Sequence, residues 1–322
     1  MKKTFLIILN LFLLFSLSAK IQADVDVNKL AADYLFEKTG DFIFWNRIHA
    51  LEFLDQNGYK VQAKEILEKS LTGFDSVPQK RIGFWRCCAE TSFSLAEKKS
   101  YINKILGAYL NPGSPDKIHA VESLAKLKYS LRTYPKQSLE NDSLSNILQG
   151  YVLWARAIPP TFSDTLDYSS IFSVLESDNT VQRDIMAYGL NYMGIFENGQ
   201  WEKLANLALT TSLESPIAVR LLHGAISTCP DIKSYDSQIE QIRTFLLETI
   251  HIPDNEMQYE SCMALGELRD KRDLDLLKEI FLSGGVQFYI KGKTYLHQLK
   301  DLKLVAAYSI LQLSQAKKKV RY

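Results

Sequence analysis

The chain has few cysteines and almost no net charge for its 322 residues. Its four cysteines, Cys87, Cys88, Cys229 and Cys262, are too few and too unevenly spaced for a disulfide framework. We interpret them as small buried helix residues, although one Cys229–Cys262 bridge stays open as an alternative. The formal net charge is +1 and no domain-sized block is strongly basic, which argues against a nucleic-acid partner.

The chain also lacks the short motifs of common enzyme active sites. It contains no G-x-S-x-G elbow, no P-loop, no H-E-x-x-H and no dinucleotide-binding glycine motif. His223, His251 and His297 stand without spaced partners and read as ordinary surface or core histidines. We therefore predict a protein that is not an enzyme and that has no cofactor and no metal.

A hydrophobic run long enough to cross a membrane is missing as well. Lys2 and Lys3 precede an apolar stretch from Phe5 to Leu17, which is shorter than the ~20 residues of a spanning helix. This pattern is typical of a signal peptide, and an uncleaved anchor is the alternative. The sequence predicts a signal peptide at 1–23, export to the periplasm or the exterior, and no stable membrane insertion after cleavage.

What the chain does have is an internal repeat. Similar segments occupy 47–54, 81–88, 117–124 and 151–158, and they begin 34, 36 and 34 residues apart. In the first, Ile48, Leu51 and Leu54 form an apolar stripe at helical spacing, and the other segments carry the same stripe in register. A unit of this length is a helix–turn–helix repeat.

The repeat predicts an all-α fold, an α-solenoid of stacked antiparallel helix pairs that is HEAT/ARM-like and spans 24–316. Second helices are expected at 62–71, at 99–110 and from Ser143 to a break before Tyr151. In the C-terminal half we expect helices at 184–193, 218–227, 259–270, 274–281 and 305–313. Residues 284–292 are a hairpin or a loop insertion, and 317–322 form a solvated basic tail.

Three of these segments resemble a known repeat family. Ala264 to Asp270, followed by Leu274 and Leu276-Leu277, resembles the short HEAT repeat of the phycobilin-lyase type. Arg47 to Ala50 and Asp116 to Ala120 resemble the opening of its helix. The segments at 47, 81 and 117 are also similar to a HEAT-like segment of some bacterial sodium:solute symporters. The resemblance implies that these helices line the concave face of the solenoid, and it says little about activity.

The pattern His-x-x-Glu occurs twice, at His49/Glu52 and at His119/Glu122. Residues at i and i+3 share a helix face, so each pair could ligate a metal. The two helices are separated by a whole repeat, which predicts a separation on the order of 20 Å. Four ligands at that distance cannot converge on one ion.

An ion-pair ladder explains these positions better. At the position of Glu52, the next three repeats carry Arg86, Glu122 and Arg156. Alternating signs on stacked helices would fix the register between repeats, although each exposed pair contributes only ~0–1 kcal/mol.

Aromatic residues gather near the same helices, and they could form a groove or fill the core. We expect Trp85 in the core and Trp45 and Trp154 exposed. The candidate groove residues share these helices and their polar faces: Trp45, Arg47, His49, Glu52, Arg81, Arg86, Lys117, His119, Glu122, Trp154 and Arg156.

These observations favour an exported scaffold or binding protein whose concave face holds a protein partner. The alternative is a carbohydrate-binding or lyase-like helical protein that acts on an acidic glycan. A helical toroid could bring tyrosine, histidine and arginine side chains together from distant repeats.

Overall fold

The computed structural model describes residues 26–134, 146–161, 163–213, 215–290, 293–298 and 301–315. Within these ranges the chain is helical apart from one hairpin, which confirms the predicted fold class. The predicted signal peptide at 1–23 and basic tail at 317–322 lie outside the described residues.

The described residues form fifteen α-helices, two β-strands and three short 3₁₀ turns. The helices are α1 (Val27–Lys38), α2 (Phe44–Gln56), α3 (Lys60–Ser70), α4 (Lys80–Thr91), α5 (Leu95–Leu110), α6 (Lys117–Lys126), α7 (Asn146–Ala157), α8 (Tyr168–Leu175), α9 (Thr180–Gly189), α10 (Asn198–Thr210), α11 (Pro216–Ser227), α12 (Asp236–Thr249), α13 (Asn255–Leu268), α14 (Leu274–Ser283) and α15 (Leu302–Ser314). The strands are β1 (Gly285–Ile290) and β2 (Lys293–Gln298), and the 3₁₀ turns are Thr72–Phe74, Leu190–Tyr192 and Lys271–Asp273.

Several helices begin at a residue whose side chain caps the first turn. Asp26, Ser94, Asn179 and Asp254 each accept a hydrogen bond from a backbone N–H of that turn. Each such cap stabilises its helix by about 1 kcal/mol because it satisfies an N–H with no partner inside the helix. These local signals explain why the chain breaks into short helices.

The helices pack in chain order as two layers. An inner layer consists of α2, α4, α6, α7, α9, α11, α13 and α15, each packed on the next, and the other helices cover it from outside. Lys126 of α6 lies over the ring of Tyr188 of α9, with α7 between the two helices in the layer. The inner layer therefore curves around a common interior.

The predicted apolar stripe is the seam of the inner layer. Ile48, Leu51 and Leu54 are fully or almost fully buried. The boundary predicted before Tyr151 is wrong, because α7 runs without a break from Asn146 to Ala157. Gly150 does not end that helix. It lets the neighbouring helix approach, since a Cβ there would lie 2.8 Å from Ile185 Cδ1.

The glycine-bracketed segment near the C-terminus forms the hairpin rather than the loop insertion. Strands β1 and β2 pair antiparallel, with Gly285 opposite Gln298 and Ile290 opposite Lys293. The hairpin connects α14 to α15, and Val286 on β1 is buried. It therefore joins the last outer helix to the last inner one.

The two ends of the inner layer meet. The ring of Tyr308 on α15 stacks on that of Phe53 on α2, with centroids 4.4 Å apart. Gln312 and Gln315 each donate a side-chain hydrogen bond to Asn57 Oδ1, at 3.2 and 2.8 Å. The layer is thus a closed ring.

The outer layer closes at the same place. Helix α15 packs along α1, and the ring of Tyr34 on α1 makes an edge contact with Phe281 on α14, at 5.6 Å between centroids. Lys303 of α15 lies over the Tyr34 ring at 4.9 Å. The first and last helices of the described residues are therefore neighbours in space, although they lie at opposite ends of the sequence.

The four cysteines all lie in the described part of the chain, where they are buried and form no disulfide. Burial raises the pKa of Cys88 and Cys262 to about 12, which keeps these thiols protonated. The interpretation of the cysteines as small buried residues is confirmed, although Cys229 lies just beyond the end of α11 and not in a helix, and the Cys229–Cys262 bridge is not formed.

Candidate functional site

A pocket opens on the side of α2, α4 and α6 that faces the interior of the ring. Its volume is about 160 Å³, and we call it the axial pocket. Its lining combines one aromatic ring with charged and polar side chains: Trp45, His49, Arg86, His119, Glu122, Ser123 and Lys126.

The indole of Trp45 reaches the pocket across α4. A Cβ at Gly83 would lie 2.8 Å from Trp45 Cζ3, so the glycine makes room for the ring. The indole lies 5.5 Å from the His119 ring and 6.4 Å from the His49 ring, between centroids. Trp45 was expected to be exposed, and it is half-buried, with an aromatic surface at the pocket.

The two His-x-x-Glu pairs lie closer together than the sequence predicted. Because one indole contacts both imidazoles, the two rings cannot be 20 Å apart. The estimate assumed a straight stack, whereas the inner helices converge on the interior. His49 Nδ1 lies 3.2 Å from Glu52 Oε2, and His119 Nδ1 lies 3.8 Å from Glu122 Oε2.

The first ion pair of the predicted ladder, between Glu52 and Arg86, is present and buried. Arg86 donates to Glu52 Oε1 from Nε at 2.6 Å and from Nη2 at 2.5 Å. Burial opposes ionisation of Glu52, but the Arg86 guanidinium and His49 outweigh it and hold the pKa of Glu52 at about 2. Arg86 also donates to Ser123 Oγ on α6 at 3.2 Å, so it links three inner helices.

Glu122, the next carboxylate of the predicted ladder, pairs within its own helix. Glu122 forms its ion pair with Lys126, one turn further along α6, at 2.8 Å. Burial opposes ionisation of Glu122, but Lys126 and His119 outweigh it and lower its pKa well below the ordinary value. Arg156, the predicted third partner, is half-buried on α7.

A second carboxyl lies next to the ion pair of Glu52 and Arg86. Oxygens of Glu52 and Glu90 and Cys87 Sγ lie within 4.8 Å of one another, the one such donor group found in the described residues. Burial and the Glu52 carboxylate raise the pKa of Glu90 to about 8, so it is mostly protonated at neutral pH. Burial also raises the pKa of Cys87 well above the ordinary value. Glu52 is already paired with Arg86, and the raised pKa values of Glu90 and Cys87 favour their protonated forms. These three side chains are therefore better suited to share a proton than to bind a metal ion.

Five of the eleven predicted groove residues line the axial pocket, and Glu52 lies directly behind it. The others lie elsewhere. Arg47 donates to the backbone oxygens of Thr39 and Ser70, and Arg81 pairs with buried Asp116 at 2.5 Å. Lys117 is buried.

The predicted exposure of Trp154 is wrong. Its ring is fully buried and lies against Gly189 of α9, where a Cβ would be 2.7 Å from Trp154 Cδ2. Tyr188 and Tyr192 pack around it, with ring centroids at 5.9 and 5.6 Å. Trp85 is in the core as predicted, and it donates from Nε1 to Asp75.

Sequence reasoning missed Lys126, Ser123 and the tyrosines beside them. Lys126 lies 5.1 Å from the Tyr188 ring centroid and 5.4 Å from that of Tyr192. The i+4 spacing of Glu122 and Lys126 was a usable signal. Tyr188 and Tyr192 gave none, since they reach this interior only through the curvature of the ring.

A further polar cluster occupies the opposite arc of the inner layer. His223 on α11 is buried, with Nδ1 at 2.7 Å from Glu260 Oε2 and Nε2 at 3.4 Å from Glu267 Oε2. Burial opposes its protonation, but Glu267 and Glu260 outweigh it and raise the pKa of His223 to about 10. Arg220 pairs with Asp184. His223 is thus a core histidine, one of the two ordinary readings that the sequence allowed, and it lies between two carboxylates.

Comparison with protein-family models and with curated proteins finds no match for this chain. None of the helices in the described part of the chain has the length and apolarity that a membrane span requires.

Proposed function

We propose that this protein is a non-enzymatic binding protein and that its axial pocket holds a sugar ring of a glycan. The observation that carries the proposal is the half-buried Trp45 indole beside charged and polar side chains around 160 Å³ of space. A cavity of about 150 Å³ accommodates a six-membered ring such as benzene. Ligand pockets of this kind combine apolar or aromatic walls with a few placed polar groups.

The closed ring is the reason to prefer a glycan over the extended protein segment that the sequence favoured. An open solenoid presents a long concave groove, whereas here three neighbouring inner helices form a pocket for a single group. The ring also brings Lys126, Tyr188 and Tyr192 together from separate helices. This supports the helical-toroid alternative raised by the sequence.

A protein partner is the second candidate, because an apolar patch lies on the outer surface. Val61, Phe93 and Leu95 are 54, 63 and 87% exposed. Lys60 and Lys64 both lie over the Phe93 ring, at 5.5 and 5.4 Å. Exposed apolar groups that cluster in this way are typical of protein contacts.

We further propose that the repeats are of the HEAT type and that the protein is exported. The regular spacing of the first four units and the packing of helices in chain order support the first proposal. The two lysines and short apolar run before residue 18 support the second.

A glycan array with the purified protein tests the function. We expect the native protein to bind members of the array, and Trp45→Ala to lose this binding with its thermal midpoint little changed. Gly83→Ala should weaken binding too, because the new Cβ displaces the indole. Phe93→Ala, on the outer patch, is the control and should bind as the native protein does.

Other outcomes would replace the proposal. An empty array, together with a co-purifying protein that Phe93→Ala fails to retain, would favour the protein partner. Release of unsaturated products from uronic acid polymers would favour the lyase-like alternative.

A further inference from the structure

Each cation that lines the axial pocket already has a carboxylate partner. Arg86 is paired with Glu52 at 2.5 Å, and Lys126 is paired with Glu122 at 2.8 Å. Arg86 and Lys126 are only 4 and 8% exposed, so bulk solvent does little to weaken these pairs. The formal charges of the four groups cancel.

The groups beside these pairs are neutral hydroxyls. Ser123 lines the pocket, and Tyr188 and Tyr192 contact Lys126 through their rings, with their hydroxyls 3.3 Å apart. Burial raises the pKa of both tyrosines well above the ordinary value, so they add no negative charge beside Lys126. The Ser123 hydroxyl accepts from Arg86 and can donate its own proton to a hydroxyl group of a ligand.

We infer that the axial pocket takes a neutral, polyhydroxylated ring and selects against sugars that carry a carboxylate. This inference rests on the proposed function and names the class of sugar. A uronate carboxylate entering the pocket would add a third negative charge beside Glu52 and Glu122, which Arg86 and Lys126 already balance. The added charge would have no cation of its own in a largely buried site, which is strongly unfavourable. A neutral sugar can accept from these cations and leave both ion pairs in place.

Titration calorimetry with matched sugars tests the selectivity. The probes are neutral oligomers of glucose, galactose and mannose and the corresponding uronate oligomers of equal length. We expect the best neutral oligomer to bind at least about ten-fold more tightly than its uronate counterpart. Equal or tighter binding of the uronate would overturn the inference and leave the glycan function standing. Binding of no sugar would remove the proposed function, and this inference with it.

Removal of one carboxylate should change the selectivity in a defined direction. In Glu122→Gln, Lys126 loses its partner and the pocket gains a net positive charge. Uronate affinity should rise about ten-fold relative to the affinity for the neutral oligomer. Glu97→Gln is the matched control, because Glu97 pairs with Lys64 at 2.6 Å on the outer layer, and it should change neither affinity.

A second variant keeps the test possible if Glu122→Gln does not fold. In Glu52→Gln, Arg86 loses its carboxylate partner, and we expect the same rise in uronate affinity. Folded Glu122→Gln or Glu52→Gln protein with no gain in uronate affinity would show that the charge argument is wrong.

Discussion

Arg86 balances the charge of a buried carboxylate, and its removal should lower the free energy of unfolding. It is buried and bonded to Glu52 on one neighbouring helix and to Ser123 on the other. In Arg86→Met the aliphatic volume is kept, but Glu52 is left in the interior without its cation. We expect the free energy of unfolding at pH 7 to fall by about 3–5 kcal/mol, which urea denaturation measures.

The pH dependence of this loss gives the check on its cause. In the native protein the pKa of Glu52 is about 2, below its ordinary value of 4.5, so its stabilising contribution is present above pH 4.5 and is lost as pH falls towards 2. In Arg86→Met the guanidinium no longer opposes the effect of burial, so the pKa of Glu52 rises. Protonation of Glu52 as pH falls then removes part of the cost of leaving its charge buried. The difference between the two proteins should therefore shrink between pH 7 and pH 3. A difference that is constant over this range would mean that packing, and not charge, is the cause.

Single residues also show what the sequence could and could not predict. The apolar stripe of Ile48, Leu51 and Leu54 was predictable because helical periodicity reports burial directly. Trp45 and Trp154 both lie on inner helices, yet one lines the pocket and the other is fully buried. Each ring lies against a glycine of a neighbouring helix, Gly83 and Gly189, and periodicity along one helix contains no information about such a contact.

At the scale of the helices, glycines set how closely the inner layer packs. Five inner helices carry a glycine at which a Cβ would lie 2.5–2.8 Å from a neighbouring side chain: Gly83, Gly150, Gly189, Gly224 and Gly266. No real Cβ is tolerated at such distances without movement of the neighbour. Helix existence and order were predictable from the repeat, but this spacing was not, because an isolated glycine in a helix reads only as a weak position.

Gly266 gives the clearest test of this packing. A Cβ there would lie 2.5 Å from Ser309 Cβ and 2.6 Å from Ser309 Cα, which is backbone and cannot rotate away. We expect Gly266→Ala to lower the free energy of unfolding by about 1–3 kcal/mol. Gly107→Ala is the matched control on an outer helix, because no neighbouring atom lies within 4 Å of a Cβ at that position. Alanine has a better helix propensity than glycine, so this variant should have a free energy of unfolding about 0.5–1 kcal/mol higher. Chemical denaturation of both variants checks the prediction, and a stabilised Gly266→Ala would contradict the close approach.

At the scale of the whole molecule, the closed ring was the feature least accessible from sequence. The repeat predicts that each helix pair packs on the next, and the structure has this order. Whether the last pair meets the first depends on the small rotation between successive pairs. The repeat pattern of the sequence does not specify this rotation. The axial pocket follows from that closure, which explains why its chemistry was predicted only in part.

Closure makes the N-terminal helix depend on residues at the other end of the chain. Tyr308 stacks on Phe53, and the same helix α15 packs along α1, so the first and last helices support each other. In Tyr308→Ala the loss of a buried aromatic ring should cost about 3–5 kcal/mol and loosen this contact. We expect hydrogen exchange to accelerate in α1 and α2 as well as in α15, although α1 lies more than 250 residues away in sequence. Leu282→Ala, at a 66% exposed position on neighbouring α14, should leave the exchange of α1 unchanged. Acceleration confined to α14 and α15 would mean that the ends touch without stabilising each other, and the ring would then behave as an open solenoid.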